Sequence, residues 1–151
     1  MIDRFERFSF TVAEIYRCWH KIATDEMEEY DLKGSYSVYF TALFRYPEGL
    51  TAVQLGELCN RDKADVSRAA SLLEKNGLLQ RVAEDGKIYR TQLVLTDTGR
   101  NLAEQINAKA AVAVEYASRG LPDDKRRVFY EALELICENL QTLSKEGLPE
   151  K

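Results

Sequence analysis

The chain of 151 residues is 45% hydrophobic and 30% charged, with a formal net charge of −4. That length buries one good core and leaves two independent domains cramped. No run of eighteen apolar residues exists, the N-terminal MIDRFERFSF holds no apolar leader segment, and Cys18, Cys59 and Cys137 form no C-x-x-C pair. The expectation is therefore a cytoplasmic protein with no membrane span, disulfide framework or cysteine-rich zinc site.

Asp3 and Glu6 fit a capping box, and Phe5, Phe8, Val12, Ile15, Trp19 and Ile22 recur at steps of three and four, predicting a long amphipathic helix from about Asp3 into the twenties or later. Tyr30 to Gly34 reads as a break. Ser35 or Ser37 then caps a short apolar helix, Val38 to Tyr46, which Pro47 and Gly49 terminate. Thr51 and Gln54 form a second capping box before a helix of little more than two turns, with Leu55 and Leu58 inward, and "NRD" interrupts it.

Asp62 caps the next helix, whose Val66, Ala69, Ala70 and Leu73 face the core and which ends at Asn76 and Gly77. Two short helices across a tight turn make a helix-turn-helix. "LLQRVA" and "IYRTQLVL" read as strands, and the Asp-Gly of "EDGK" between them signals a hairpin, since both residues tolerate the positive φ of a type I′ turn. Thr96 caps a long helix through Leu102, Ile106 and Val112 to about Ser118, and Gly120 and Pro122 break it. A last helix begins near Asp123, where Phe129, Leu133, Ile136, Leu140 and Leu143 repeat at four, three, four and three, a seam that a lone domain does not need at its end.

The order "LTAVQLGELCNRDKADVSRAASLLEKNGLLQR", hairpin, "LTDTGR" and a closing amphipathic helix resembles the MarR family of bacterial winged-helix transcription regulators across essentially the whole chain. The resemblance implies a mainly α fold with a small β-hairpin wing: a winged helix-turn-helix lobe over about residues 35–99, with dimerisation helices over about 1–30 and 100–146 of a single protomer spanning 1–151. It implies a sequence-specific reader of double-stranded DNA, acting as a homodimer on a pseudo-palindromic operator and releasing it as a ligand-responsive repressor.

In such a motif the second helix enters the major groove, about 12 Å wide, with its first turns nearest the base edges. That accounts for the polar opening of "DKADVSR". Arg68 has the planar fork that bridges guanine O6 and N7, Lys63 and Ser67 suit phosphate or base oxygens, Ala64 suits a thymine methyl, and Asp65 accepts from cytosine N4 or pairs with a neighbouring cation. Lys87 and Arg90 flank the wing tip and are placed for the minor groove or phosphate, although the wing departs from the Asp-Arg-Arg run of many members. Residues 60–100 carry eight cations against six anions, a net of +2, which leaves −6 for the remainder.

The resemblance further implies that Phe5, Phe8, Val12 and Ile15 with Phe129, Leu133, Ile136, Leu140 and Leu143 join two protomers. A small lipophilic or phenolic effector then belongs near Tyr16, Trp19, Tyr36, Tyr39 and Phe40; ordinary core is the competing reading of those rings. One histidine, His20, supports neither a metal site nor a Ser/His/acid set, and no Gly-rich phosphate loop exists, so no enzyme and no cofactor is expected. Cys18, Cys59 and Cys137 read as inert thiols, buried by default. Two other readings stay open: a winged-helix module that binds protein and not DNA, in keeping with a pI near 5.2, and a metal- or redox-responsive regulator.

Overall fold

The computed structural model describes residues 3–86 and 90–150, apart from the side chain of Glu84. Six α-helices and one two-stranded sheet are described: α1 (Arg4–Glu28), α2 (Ser37–Arg45), α3 (Ala52–Cys59), α4 (Lys63–Lys75), β1 (Leu79–Ala83), β2 (Thr91–Leu95), α5 (Asp97–Ala117) and α6 (Asp123–Glu146). The chain divides into two compact units, with the division between Lys109 and Ala110 inside α5. Among the described residues no helix is long and apolar enough to cross a membrane.

The first unit holds the core. Tyr39, Phe40 and Leu43 of α2, Leu55 of α3, Val66, Ala69, Ala70 and Leu73 of α4, Leu79 of β1, Leu93 and Leu95 of β2, and Ala103 and Ile106 of α5 are all buried, together with Met27 and Leu32. α3 packs on α2 and α4, and the strands close against α2, α3 and α4. Gly99 is required by one of these approaches: a Cβ there would stand 1.9 Å from the carbonyl oxygen of Leu78, so only glycine lets α5 start so close to the end of the helix-turn-helix.

The strands pair antiparallel from Leu79↔Leu95 to Ala83↔Thr91. That register turns Leu93 and Leu95 to the core, since alternate residues share a face. The chain before α3 adds an isolated bridge, Leu50↔Leu93, which local sequence does not signal. Asp85 (φ 51°) and Gly86 (φ 71°) do take positive φ, but within a 3-10 turn, Glu84–Gly86, and the pairing of Ala83 with Thr91 corrects the expected two-residue type I′ turn: the connection between the strands is longer. Lys87, and the Ile88 and Tyr89 that open the expected second strand, lie outside the described residues.

Four more local expectations are corrected. Asp3 stands at the N-cap of α1, but its side chain makes no capping bond, so the box with Glu6 does not form. Ser35 and Ser37 do not cap α2: a 3-10 turn, Gly34–Tyr36, runs straight into it with Tyr36 at the cap. Leu58 is exposed, because the eight-residue α3 offers its core face to Leu55 and Gly56 alone. Cys18 and Cys137 are also exposed, and only Cys59 is half-buried. Burial pushes the Cys59 thiol up, and the thiol donates to the Val38 carbonyl at 3.7 Å.

α1 joins the core only at its end, through Met27, and Lys109 ties that end to α5 through Glu26 (2.7 Å) and Glu29 (2.8 Å). Upstream, Phe5, Phe8, Val12 and Ile15 are exposed. In the second unit, none of the residues of α6 is buried. Phe129, Leu133, Ile136 and Leu140 are exposed, and Leu143 is half-buried.

Candidate nucleic-acid interface

The presentation of α4 begins at the turn before it. Asn60 adopts the left-handed conformation (φ 52°, ψ 51°), which short polar asparagine tolerates, and the Arg61 N–H donates to the Gly56 carbonyl at 2.8 Å. A Cβ on Gly56 would meet the Arg61 carbonyl at 3.0 Å, so glycine keeps this turn tight. Thr51 caps α3: its Oγ accepts from the Gln54 N–H at 3.2 Å, while the Thr51 N–H donates to Gln54 Oε1 at 2.9 Å. Asp62 caps α4 by accepting the Asp65 N–H at 2.7 Å. Both caps are where local sequence puts them.

With Val66, Ala69, Ala70 and Leu73 fully buried, helical geometry sends the other side outward. Lys63, Ala64, Ser67 and Arg68 are all exposed along the first two turns of that side. Arg61, not singled out by sequence, is exposed beside them and extends the cationic edge. Arg90 is exposed immediately before β2, on the wing. The far end of α4 is held as firmly as its start. Gly77 takes φ 73° to stop the helix, and the Thr96 hydroxyl donates to the Gly77 carbonyl at 2.6 Å while accepting the Gly99 N–H at 3.0 Å.

Asp65 differs from its neighbours. Half-buried, it accepts a hydrogen bond from the hydroxyl of Tyr39 on α2, and its other oxygen lies 3.7 Å from the Arg68 guanidinium. Burial, and then the bond to Asp65, raise the Tyr39 phenol well above the ordinary tyrosine value. Asp65 is thus paired with a cation on its own helix and bonded to a buried ring of the core.

The five aromatic residues assigned to an effector divide. Tyr36, Tyr39 and Phe40 are buried in the core, with the Tyr36 and Tyr39 rings 6.0 Å apart. Tyr16 and Trp19 are exposed on α1, where Tyr16 stacks on His20 at 5.9 Å. Among the described residues no group of three or more His, Cys, Asp or Glu is arranged to hold a metal ion.

No family model matches the chain. A curated relative, the uncharacterized HTH-type transcriptional regulator YybA of Bacillus subtilis, is 20% identical over 130 residues, covering 86% of each chain. Among solved structures, a MarR family regulator from Listeria monocytogenes complexed with a 26mer DNA superposes with a TM-score of 0.79 at 24% identity, covering 100% of this chain and 99% of the other. A MarR transcriptional regulator from Methanosarcina mazei superposes at 0.80 with 21% identity, covering 95% and 94%. With a helix-turn-helix followed by a two-stranded hairpin, and long helices before and after them, the chain has the winged-helix fold of the MarR-family transcriptional regulators.

Proposed function

We propose that this chain is a sequence-specific, double-stranded DNA-binding transcription regulator that works in the cytoplasm as a homodimer. The observation that carries the reading is the outer face of α4: Lys63, Ala64, Ser67 and Arg68 stand exposed on a helix capped at its start, bolted at its end and buried along its back. A rigid helix with polar first turns is what major-groove readout needs. That a protein of the same fold has been solved with a 26mer DNA adds to the support.

Dimerisation is supported by the exposed apolar faces of α1 and α6, each too extensive for an isolated helix in water. Two copies related by a two-fold axis read a pseudo-palindrome with half-sites about 10 bp apart, and occupancy of a promoter then represses. Effector response belongs to the same proposal. A small lipophilic ligand that altered the spacing of the two recognition helices would weaken both half-sites together, and loss of operator binding across a chemical panel measures it.

The test is selection from a random-sequence duplex library, with Arg68→Ala in parallel at one salt concentration. A palindrome enriched by the wild type and lost with Arg68→Ala is the expected result. Wild-type protein that is folded and dimeric yet enriches nothing, and ignores Arg68→Glu in its other interactions, turns the assignment toward a winged helix that binds protein.

A further inference from the structure

Between its N-cap and Glu74, α4 carries a single acid, Asp65, on the edge between its buried and outward faces. Its two carboxylate oxygens have different partners. Oδ2 accepts from Tyr39, whose ring is wholly buried among the core residues of α2 (0% exposed), and Oδ1 faces Arg68 Nη2 one turn along the helix at 3.7 Å. Arg68 itself remains two-thirds exposed. An exposed ion pair of this length contributes little to stability, so its consequence lies in where it holds the guanidinium.

A free arginine side chain samples many rotamers, and ordering them on a base edge costs affinity for the right base while leaving the wrong ones less penalised. Tyr39 cannot move without opening the core, so a carboxylate bonded to it is a fixed post. We propose that Tyr39, which itself lies beneath the DNA-facing surface, is a positioning residue for sequence readout: through Asp65 it holds the Arg68 guanidinium in the orientation that meets a base edge. This inference rests on the DNA-reading assignment above.

Loss of the post lowers discrimination at the base pair read by Arg68 by about two- to tenfold per half-site, the cost of ordering one long side chain. The experiment uses the full chain and the operator it selects. Affinities are measured at one salt concentration for that operator and for every single-base-pair variant of one half-site, with wild type, Tyr39→Phe, Asp65→Asn, Arg68→Ala and the double variant Tyr39→Phe/Arg68→Ala. Preference and not affinity is the readout, because Asp65→Asn also removes a charge that phosphate repels.

Arg68→Ala is expected to erase the preference at one position. Tyr39→Phe and Asp65→Asn weaken it at that same position, leave the others intact, and Tyr39→Phe adds nothing on top of Arg68→Ala. A uniform loss at all positions, the mark of a merely structural role, overturns the inference, as does an undiminished preference in both variants. Circular dichroism establishes folding, and should Tyr39→Phe not fold, Asp65→Asn decides alone. A wild type that selects no sequence brings down the DNA-reading assignment and this inference with it; a preference erased at one position by Arg68→Ala but untouched by a folded Tyr39→Phe brings down the positioning role alone.

Discussion

Tyr39 joins a core packing role to a polar one: its ring is buried and its hydroxyl serves Asp65 on another helix. Its folded-state pKa is raised, so it favours the folded chain fully below the unfolded tyrosine value of about 10, and that contribution is lost as pH rises beyond it. Urea unfolding between pH 9 and 11.5 is therefore expected to show wild-type stability falling faster than that of Tyr39→Phe, by up to about 1.4 kcal/mol per pH unit for the one proton. Parallel curves exclude it. From sequence, Tyr39 is one of several rings that fit a core more often than a pocket, and nothing singles it out, because an aromatic on a helix carries no mark of what its hydroxyl meets. Asp65 was legible only as an acid needing a partner; the Arg68 half of that partnership is local, three residues on, while the Tyr39 half spans 26 residues of sequence.

At the scale of the element, the caps separate into those that bind and those that do not. Thr51, Asp62 and Thr96 form the bonds their spacing predicts. Asp3 has the same local credentials and makes none, since at an exposed helix start water is as good a partner. Thr96 does more than cap, for its hydroxyl also donates to Gly77 and so joins the end of α4 to the start of α5. Thr96→Val is accordingly expected to cost about 1–2 kcal/mol, and Asp3→Ala less than about 0.5 kcal/mol, in thermal or urea unfolding. Equal costs would mean that the difference in hydrogen bonding is without consequence. Leu58 shows the limit of periodicity in an eight-residue helix, where one turn either way decides which residue faces inward.

For the whole molecule, the apolar faces of α1 and α6 matter most. α6 runs 24 residues without burying one of them, although Phe129, Leu133, Ile136 and Leu140 repeat along it. A helix of that kind gains its stability from a packing partner. If that partner is a second copy, the melting temperature rises with protein concentration, a hundredfold increase being worth about 2.7 kcal/mol. Leu133→Asp is expected to give monomers in sedimentation and to abolish operator binding while leaving the buried core of the first unit folded. A melting temperature independent of concentration, with monomeric wild type in sedimentation, excludes the dimer.

By itself, the sequence determined the order and kind of the elements, the tight turn before α4 and the outward identity of Lys63, Ala64, Ser67 and Arg68, because caps, breakers and hydrophobic period act within a few residues of one another. Only tertiary structure decided which aromatic rings form the core, that Leu50 bridges to Leu93, that α5 starts against Leu78 where Gly99 alone fits, and that Asp65 is tethered to α2. Those contacts join residues tens of positions apart, and nothing in the local chain distinguishes a hydroxyl, a methyl or a missing Cβ that meets a distant neighbour from one that meets water.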